Sequence, residues 1–156
     1  MLMKVFPHGT GEGDKPSRYL VRPDYPGRDT APPQVLRGAP AMTRALVDSI
    51  ELRWKFTSGV LSWHPDEKIS EAQEEEVMDA FEQVAFAGLA ADQRNILWVR
   101  HTHAGHHELH FLIPRLELSS GKDFNACPPG WHKDFDVFRD LFNWREGWAR
   151  PDDPAR

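Results

Sequence analysis

Five of the chain's eight histidines fall within ten residues, in His101-Thr-His-Ala-Gly-His-His-Glu-Leu-His110. Imidazole is the commonest nitrogen ligand for divalent metals, so this density points to a metal site. The flanking residues sort the five. In a strand, side chains alternate between faces. Glu108, His110 and Leu112 then share one face, and Leu109, Phe111 and Ile113 share the other. The second set is wholly apolar and belongs on a core. On the preceding strand Leu97, Val99 and His101 share a face, opposite Ile96, Trp98 and Arg100. A hairpin closing near Ala104-Gly105 brings His101 opposite Glu108 or His110. Two imidazoles and one carboxylate then converge on one point. They leave a divalent ion with a net charge of about +1 and open positions for water or phosphate oxygens. Mn²⁺ or Mg²⁺ suits phosphodiester chemistry. The imidazoles tilt the preference toward Mn²⁺, with Zn²⁺ or Ni²⁺ able to substitute in vitro.

The competing reading, scattered polar turn residues, fits His103, His106 and His107 taken singly. His107-Glu108-Leu109-His110 is not the metalloprotease His-Glu-x-x-His. That motif needs histidines four apart on a helix, and here they are three apart in a β pattern.

The second reactive group is a phenol. The chain has two tyrosines, Tyr19 and Tyr25. Tyr25 sits in the irregular Arg22-Pro-Asp-Tyr-Pro-Gly27. Tyr19 follows a Gly-rich turn among Lys15, Arg18 and Arg22, cations that suit a polyanionic substrate. A phenol with a free pKa of ~10 is a poor nucleophile at neutral pH unless cations assist it. On residue type alone, a lone Tyr on an amphipathic helix is a core residue.

These residues need a scaffold. The chain has 156 residues, 40% of them hydrophobic, which suits one domain spanning 1–156. Mean hydropathy is −0.59, and no apolar run approaches the ~20 residues that span a bilayer. The lone Cys127 excludes an intrachain disulfide and a Cys-based zinc site, and fits a reducing cytoplasm. The net charge of −5 argues against a purely electrostatic nucleic-acid binder. The acid is concentrated, however: residues 66–92 hold nine Asp/Glu and one Lys, whereas residues 1–55 hold nine Lys/Arg and six Asp/Glu.

Residues 3–6 read as a strand, followed by a turn from Pro7 to Gly13. Asp14 as N-cap and Pro16 in the first turn open a helix through Leu20. Residues 22–39, rich in Pro, Gly and Asp, read as a long loop. A helix from Pro40 to about Arg53 puts Met42, Leu46 and Ile50 on its apolar face. Phe56 to Trp63 is a strand. Ser70 and Gln73 form a capping box for a helix with the stripe Val77, Phe81, Val84, Ala85, leaving Glu74, Glu75, Asp79 and Glu82 mainly on the wet side and ending at Gly88. Strands at Asn95–Arg100 and His107–Leu118 form the hairpin. A last helix, Asp134 to Trp148, carries Phe135, Phe138, Leu141 and Phe142. The order is α+β: an antiparallel sheet with helices mostly on one face and the site on the other.

Together these residues resemble the N-terminal nuclease domain of MobA-type relaxases from mobilisable plasmids, in the branch of the HUH endonucleases whose metal motif is His, Glu, Asn. The resemblance runs through Lys4-Val-Phe-Pro-His-Gly-Thr-Gly11, Tyr19-Leu20, Val35-Leu-Arg-Gly-Ala-Pro40, Phe56-Thr-Ser-Gly-Val-Leu-Ser62, Ile96-Leu-Trp-Val-Arg-His101 and Glu108-Leu-His-Phe-Leu-Ile-Pro114. His101, Glu108 and His110 have that motif's offsets of seven and nine. His110 stands where the branch has Asn, which strengthens metal binding because imidazole is the better ligand. The resemblance implies a ferredoxin-like HUH palm with a central antiparallel sheet. It implies Tyr19 as nucleophile, giving a 5′-phosphotyrosyl intermediate on single-stranded DNA at a transfer origin. Lys15, Arg18 and Arg22 around Tyr19, and His103 in the turn, are the expected DNA contacts. The partners it implies are accessory mobilisation proteins and a coupling protein. The unit reads as one domain of a longer protein. The rivals are a rolling-circle replication initiator or transposase of the same chemistry, a metal-dependent phosphodiesterase without a covalent step, and a non-enzymatic DNA-binding module.

Overall fold

A computed structural model describes residues 1–152. Five strands form one sheet: β1 (Leu2–Val5), β2 (Gln34–Arg37), β3 (Phe56–Ser62), β4 (Leu97–His101) and β5 (Glu108–Pro114). Their spatial order is β1-β3-β5-β4-β2, and every pairing is antiparallel. The helices are α1 (Asp14–Val21), α2 (Pro40–Asp48), α3 (Glu71–Ala85) and α4 (His132–Glu146). The architecture is α+β and consistent with a ferredoxin-like palm. Residues 153–156, the last of the expected 1–156 unit, lie outside the described residues. No described helix is long and apolar enough to cross a membrane.

The sheet separates two apolar layers, as strand alternation requires. Leu61, Trp98, Leu109, Phe111 and Ile113 face α3 and α4 and pack with Val77, Met78, Phe81, Phe135, Phe138 and Phe142. Leu97, Val99 and Leu112 face the other way, against Leu20 of α1. The expectation of helices mostly on one face is therefore corrected: α1 and α2 both contact β5 from the second side. The site shares that side with them.

Local expectations fail where polar residues find partners. Within the expected loop 22–39, Gln34–Arg37 forms edge strand β2. Its four residues are too few and too exposed to show alternation, and a bulge between Val35 and Arg37 breaks the register. Gly38 allows this close approach, since its φ is +83° and a Cβ there would lie 2.4 Å from the Ile96 carbonyl. Helix α1 starts at Asp14, with Gly13 rather than Asp14 in the cap position. Helix α2 ends at Asp48 and buries Thr43 and Val47, while Met42 is 56% exposed. Thr43 takes the inner face because its hydroxyl donates to Asn95 Oδ1 at 2.7 Å. The Asp48 carboxylate accepts from the Gly13 N–H at 2.7 Å, so α2 fixes the turn from which α1 springs.

Helix α3 has the expected capping box between Ser70 and Gln73. Glu74, expected on its wet side, is instead 2% exposed. On α4 the expected core residue Leu141 faces solvent, and Asn143 is buried in its place. The Asn143 amide donates to the Met1 carbonyl at 3.0 Å, which ties α4 to the start of β1.

Candidate active site

The β4–β5 hairpin carries the site. Its register pairs His101 with Glu108 and Val99 with His110. One ligand atom from each of His101, Glu108 and His110 lies within 4.8 Å of the others. The two imidazole centroids are 4.3 Å apart. Glu108 Oε1 lies 3.3 Å from His110 Nε2, and its Oε2 lies 3.1 Å from His106 Nε2. The expected convergence is thus present. The sheet supplies it because positions 108 and 110 share a face and 101 is the residue opposite.

Two features leave His101 and Glu108 able to accept a cation. His101 Nε2 lies 2.7 Å from the Leu20 carbonyl. A carbonyl only accepts, so Nε2 carries the proton and Nδ1 keeps its lone pair. Burial pushes His101 down to about 4, reinforced by His110, Arg28 and His103, so the ring is neutral at neutral pH. For Glu108, burial favours protonation, but His110 and His106 outweigh it and hold the carboxyl below its usual range. Two imidazoles and a carboxylate fit a divalent cation with positions to spare.

Tyr19 stands beside the cluster. Its ring centroid is 6.4 Å from that of His101, and the residue is 42% exposed, so it is not the core residue its type alone suggested. Its neighbour Leu20 supplies the anchor, with a side chain in the core and a carbonyl on His101. Burial and Tyr25 raise the Tyr19 phenol above its ordinary value, and Arg28 pulls it the other way.

Arg28 is the residue that sequence reading missed. It is 1% exposed. Its guanidinium lies 5.0 Å from the Tyr19 ring centroid and 4.7 Å from that of Tyr25. Its Nη1 donates to the carbonyls of Tyr19 and Arg22, at the C-terminal end of α1 where a cation is favoured. Its Nε and Nη2 are buried with no hydrogen-bond partner among the described residues. Nothing periodic in the loop marks this arginine out.

The expected DNA-contact residues are spread. Lys15 and Arg18 are exposed on α1. Arg22 pairs with Asp24 at 2.9 Å. His103 is half-buried, packed between the rings of His101 and Tyr25. His107 is more than a turn residue, because its Nε2 lies 2.8 Å from Glu74 on the opposite side of the sheet. Arg100 donates to the same carboxylate from β4. Glu74 thus braces both arms of the hairpin from behind. It lies one turn before Val77 and Met78, so the apolar stripe extended backward would have found it.

The chain is similar to known proteins. The family described as relaxase, MobA/VirD2-like, nuclease domain, matches residues 43–143. That span holds His101, Glu108 and His110, and Tyr19 precedes it. The chain is 40% identical over 160 residues to cryptic plasmid protein C of Neisseria gonorrhoeae, covering 100% of the chain and 75% of that protein. It is 38% identical over 122 residues to the DNA relaxase MbeA of Escherichia coli, covering 78% of the chain and 23% of that protein. No solved structure matches. With a matched span covering most of the chain and a relative aligned along all of it, the chain belongs to the MobA/VirD2-like relaxases, as their nuclease domain.

Proposed function

We propose that this chain nicks single-stranded DNA at a plasmid transfer origin, in the cytoplasm, by transesterification onto Tyr19. His101, Glu108 and His110 hold the divalent cation, Mn²⁺ or Mg²⁺. The observation that carries this reading is the bond from His101 to the Leu20 carbonyl. It joins the ligand cluster to the helix bearing Tyr19, so nucleophile and metal ligands move as one unit.

His101, Glu108 and His110 would hold the cation, which when bound would supply polarisation of the scissile phosphate and charge to offset that on its oxygens. The Tyr19 Oη attacks phosphorus as its proton passes to water. The bond from phosphorus to the 3′ oxygen breaks, and that oxygen departs as a 3′-hydroxyl after taking up a proton. The DNA 5′ end stays on Tyr19 as a phosphodiester. The bond count is conserved, so the 3′-hydroxyl can reverse the step without a nucleotide triphosphate. Accessory mobilisation proteins and a coupling protein would deliver the strand and export it.

The test incubates the protein with Mn²⁺ and single-stranded DNA from the host plasmid, then runs a denaturing gel. A covalent adduct is expected, lost in Tyr19→Phe and in chelator. An adduct that survives Tyr19→Phe sinks the nucleophile. Cleavage that persists in chelator sinks the metal site, and cleavage without any adduct replaces the covalent step by hydrolysis.

A further inference from the structure

Beside Tyr19 lies a cleft of about 150 Å³ lined by Phe6, Pro16, Tyr19, Ser58, His110 and Leu112. The geometry points to this cleft as the pocket for one extruded nucleobase, carried by a nucleotide that adjoins the scissile phosphate. The inference rests on the transesterase reading and extends it to sequence selection.

Place comes first. The cleft shares Tyr19 with the proposed nucleophile and His110 with the proposed ligands. A phosphate held between those two groups has only its two flanking nucleotides within reach of the opening. Chemistry comes second. A flipped base is held by stacking on aromatic and apolar side chains, with few polar groups to read its edge. Phe6 and Tyr19 supply rings, and Pro16, Leu20 and Leu112 supply apolar wall. Ser58 shares its face with Leu112, the residue paired to it across the sheet. Its hydroxyl can both donate and accept at a base edge. Lys4 Nζ lies 5.6 Å from the Phe6 ring centroid, a cation suited to the phosphate that such a base carries.

Charge comes third. Of the larger clefts along α3, one sets Glu71, Glu74 and Glu75 against Arg100 alone, an acidic wall that disfavours a polyanion. The other balances Asp79 and Glu82 with Arg37 and Arg94. The cleft beside Tyr19 has no acidic residue in its lining.

The test works whatever origin sequence the protein recognises. Wild-type protein and Mn²⁺ are incubated with a pool of single-stranded DNA of randomised sequence, and covalent adducts are recovered from a denaturing gel. The protein-linked and the released strands are both sequenced. The expected result is a base preference of about tenfold or more at one of the two nucleotides bounding the cut, the size that one stacked base supports. An abasic residue at that nucleotide should lower cleavage by a similar factor. Ser58→Leu fills the cleft and keeps the backbone bond from the Phe6 N–H to the Ser58 carbonyl. It should flatten the preference at that nucleotide, erase its own penalty for the abasic residue, and keep preferences farther from the cut. Phe6→Leu, which removes one ring, should weaken the same preference should Ser58→Leu prove unfolded, and Mn²⁺ binding checks the fold of each. A wild-type adduct with no flanking preference overturns the pocket and leaves the transesterase reading standing. So does a preference that both folded variants retain. Absence of any wild-type adduct sinks the transesterase reading, and the pocket with it.

Discussion

The β4–β5 hairpin carries a carboxylate with basic groups on each of its faces, and the two arrangements differ in kind. Behind it, Glu74 accepts from Arg100 and pairs with His107, and the group is closed on itself. In front, His101, Glu108 and His110 converge, and near them Arg28 Nε and Nη2 and His103 Nδ1 have no hydrogen-bond partner among the described residues. Behind the sheet the indole Nε1 atoms of Trp63 and Trp98 are likewise unpartnered, but those are neutral core side chains outside the ionisable group. An unpaired buried polar atom costs about 1–3 kcal/mol, so a fold keeps several together only where something else compensates. The closed group is what a structural brace needs. The open one is what a site for a cation and a phosphate needs. The lesson is that the same residue types, a few ångströms apart through one sheet, are told apart by whether the ionisable groups around each carboxylate are fully paired.

The largest expected effect comes from opening the front further. Replacing Glu108 with Gln should cost on the order of a thousandfold or more in cleavage, because several kcal/mol of charge stabilisation go with the cation. Mn²⁺ binding by calorimetry should fall with it, while the melting temperature in chelator changes little. Unchanged cleavage would mean that the front is no more a metal site than the back.

Breaking the back should do the reverse. Glu74→Ala strands Arg100 and His107 without their carboxylate. Removing one partner of a buried pair costs about 3 kcal/mol or somewhat more. Thermal unfolding should then drop by roughly 2–4 °C per kcal/mol. Mn²⁺ affinity of the still-folded protein should change less than it does in Glu108→Gln. Should metal binding be lost while stability holds, the two faces have exchanged roles.

The two faces also differ in how legible they were. The front cluster follows from strand parity and loop closure, both local, so His101, Glu108 and His110 could be placed together from the sequence. Strands β1, β3, β4 and β5 and helices α3 and α4 were legible for the same reason. Even so, β5 ends at Pro114 rather than Leu118, since proline has no N–H to continue the ladder, and α3 ends at Ala85 rather than near Gly88. Edge strand β2 was not, since an edge strand of four residues has neither length nor a buried face to impose alternation. Glu74 was misplaced, and Thr43 and Asn143 went unmarked, because a polar residue goes inside only when a distant partner satisfies it, and the partners lie 26, 52 and 142 residues away. Arg28 was invisible for that reason and one more. Its value lies in two ring faces that only the folded loop brings to it.

Acid separates the faces again. His101 is held at about 4 in the folded chain, against an ordinary 6.5. The unfolded chain therefore binds the extra proton first. The stability that His101 contributes is fully present above about pH 6.5, and it is lost as pH falls from there through about 4. The difference corresponds to roughly 3 kcal/mol. Metal-free protein followed by urea unfolding should lose stability over that window, and Mn²⁺ affinity should fall with it because protons compete for the same nitrogen. The variant His101→Leu should lose much of that dependence. An identical slope in the variant would place the titrating group elsewhere.

The smallest effect tests whether an incomplete set of hydrogen bonds marks function. Arg28→Met keeps length and apolar contact with the Tyr19 and Tyr25 rings and removes the cation. Two carbonyls at the end of α1 lose their donor, a destabilisation of about 1–2 kcal/mol. The two unpaired donors vanish as well, which offsets part of that loss. Stability should therefore fall less than in Glu74→Ala, although both side chains are almost fully buried. Cleavage by the folded variant should fall by about tenfold, roughly the worth of one cation beside two aromatic rings. Arg28→Lys should recover part of that rate, since it restores the charge without the planar fork. A loss of stability as large as that of Glu74→Ala, with cleavage per folded molecule unchanged, would make Arg28 a brace like Glu74 and end the distinction between the two faces.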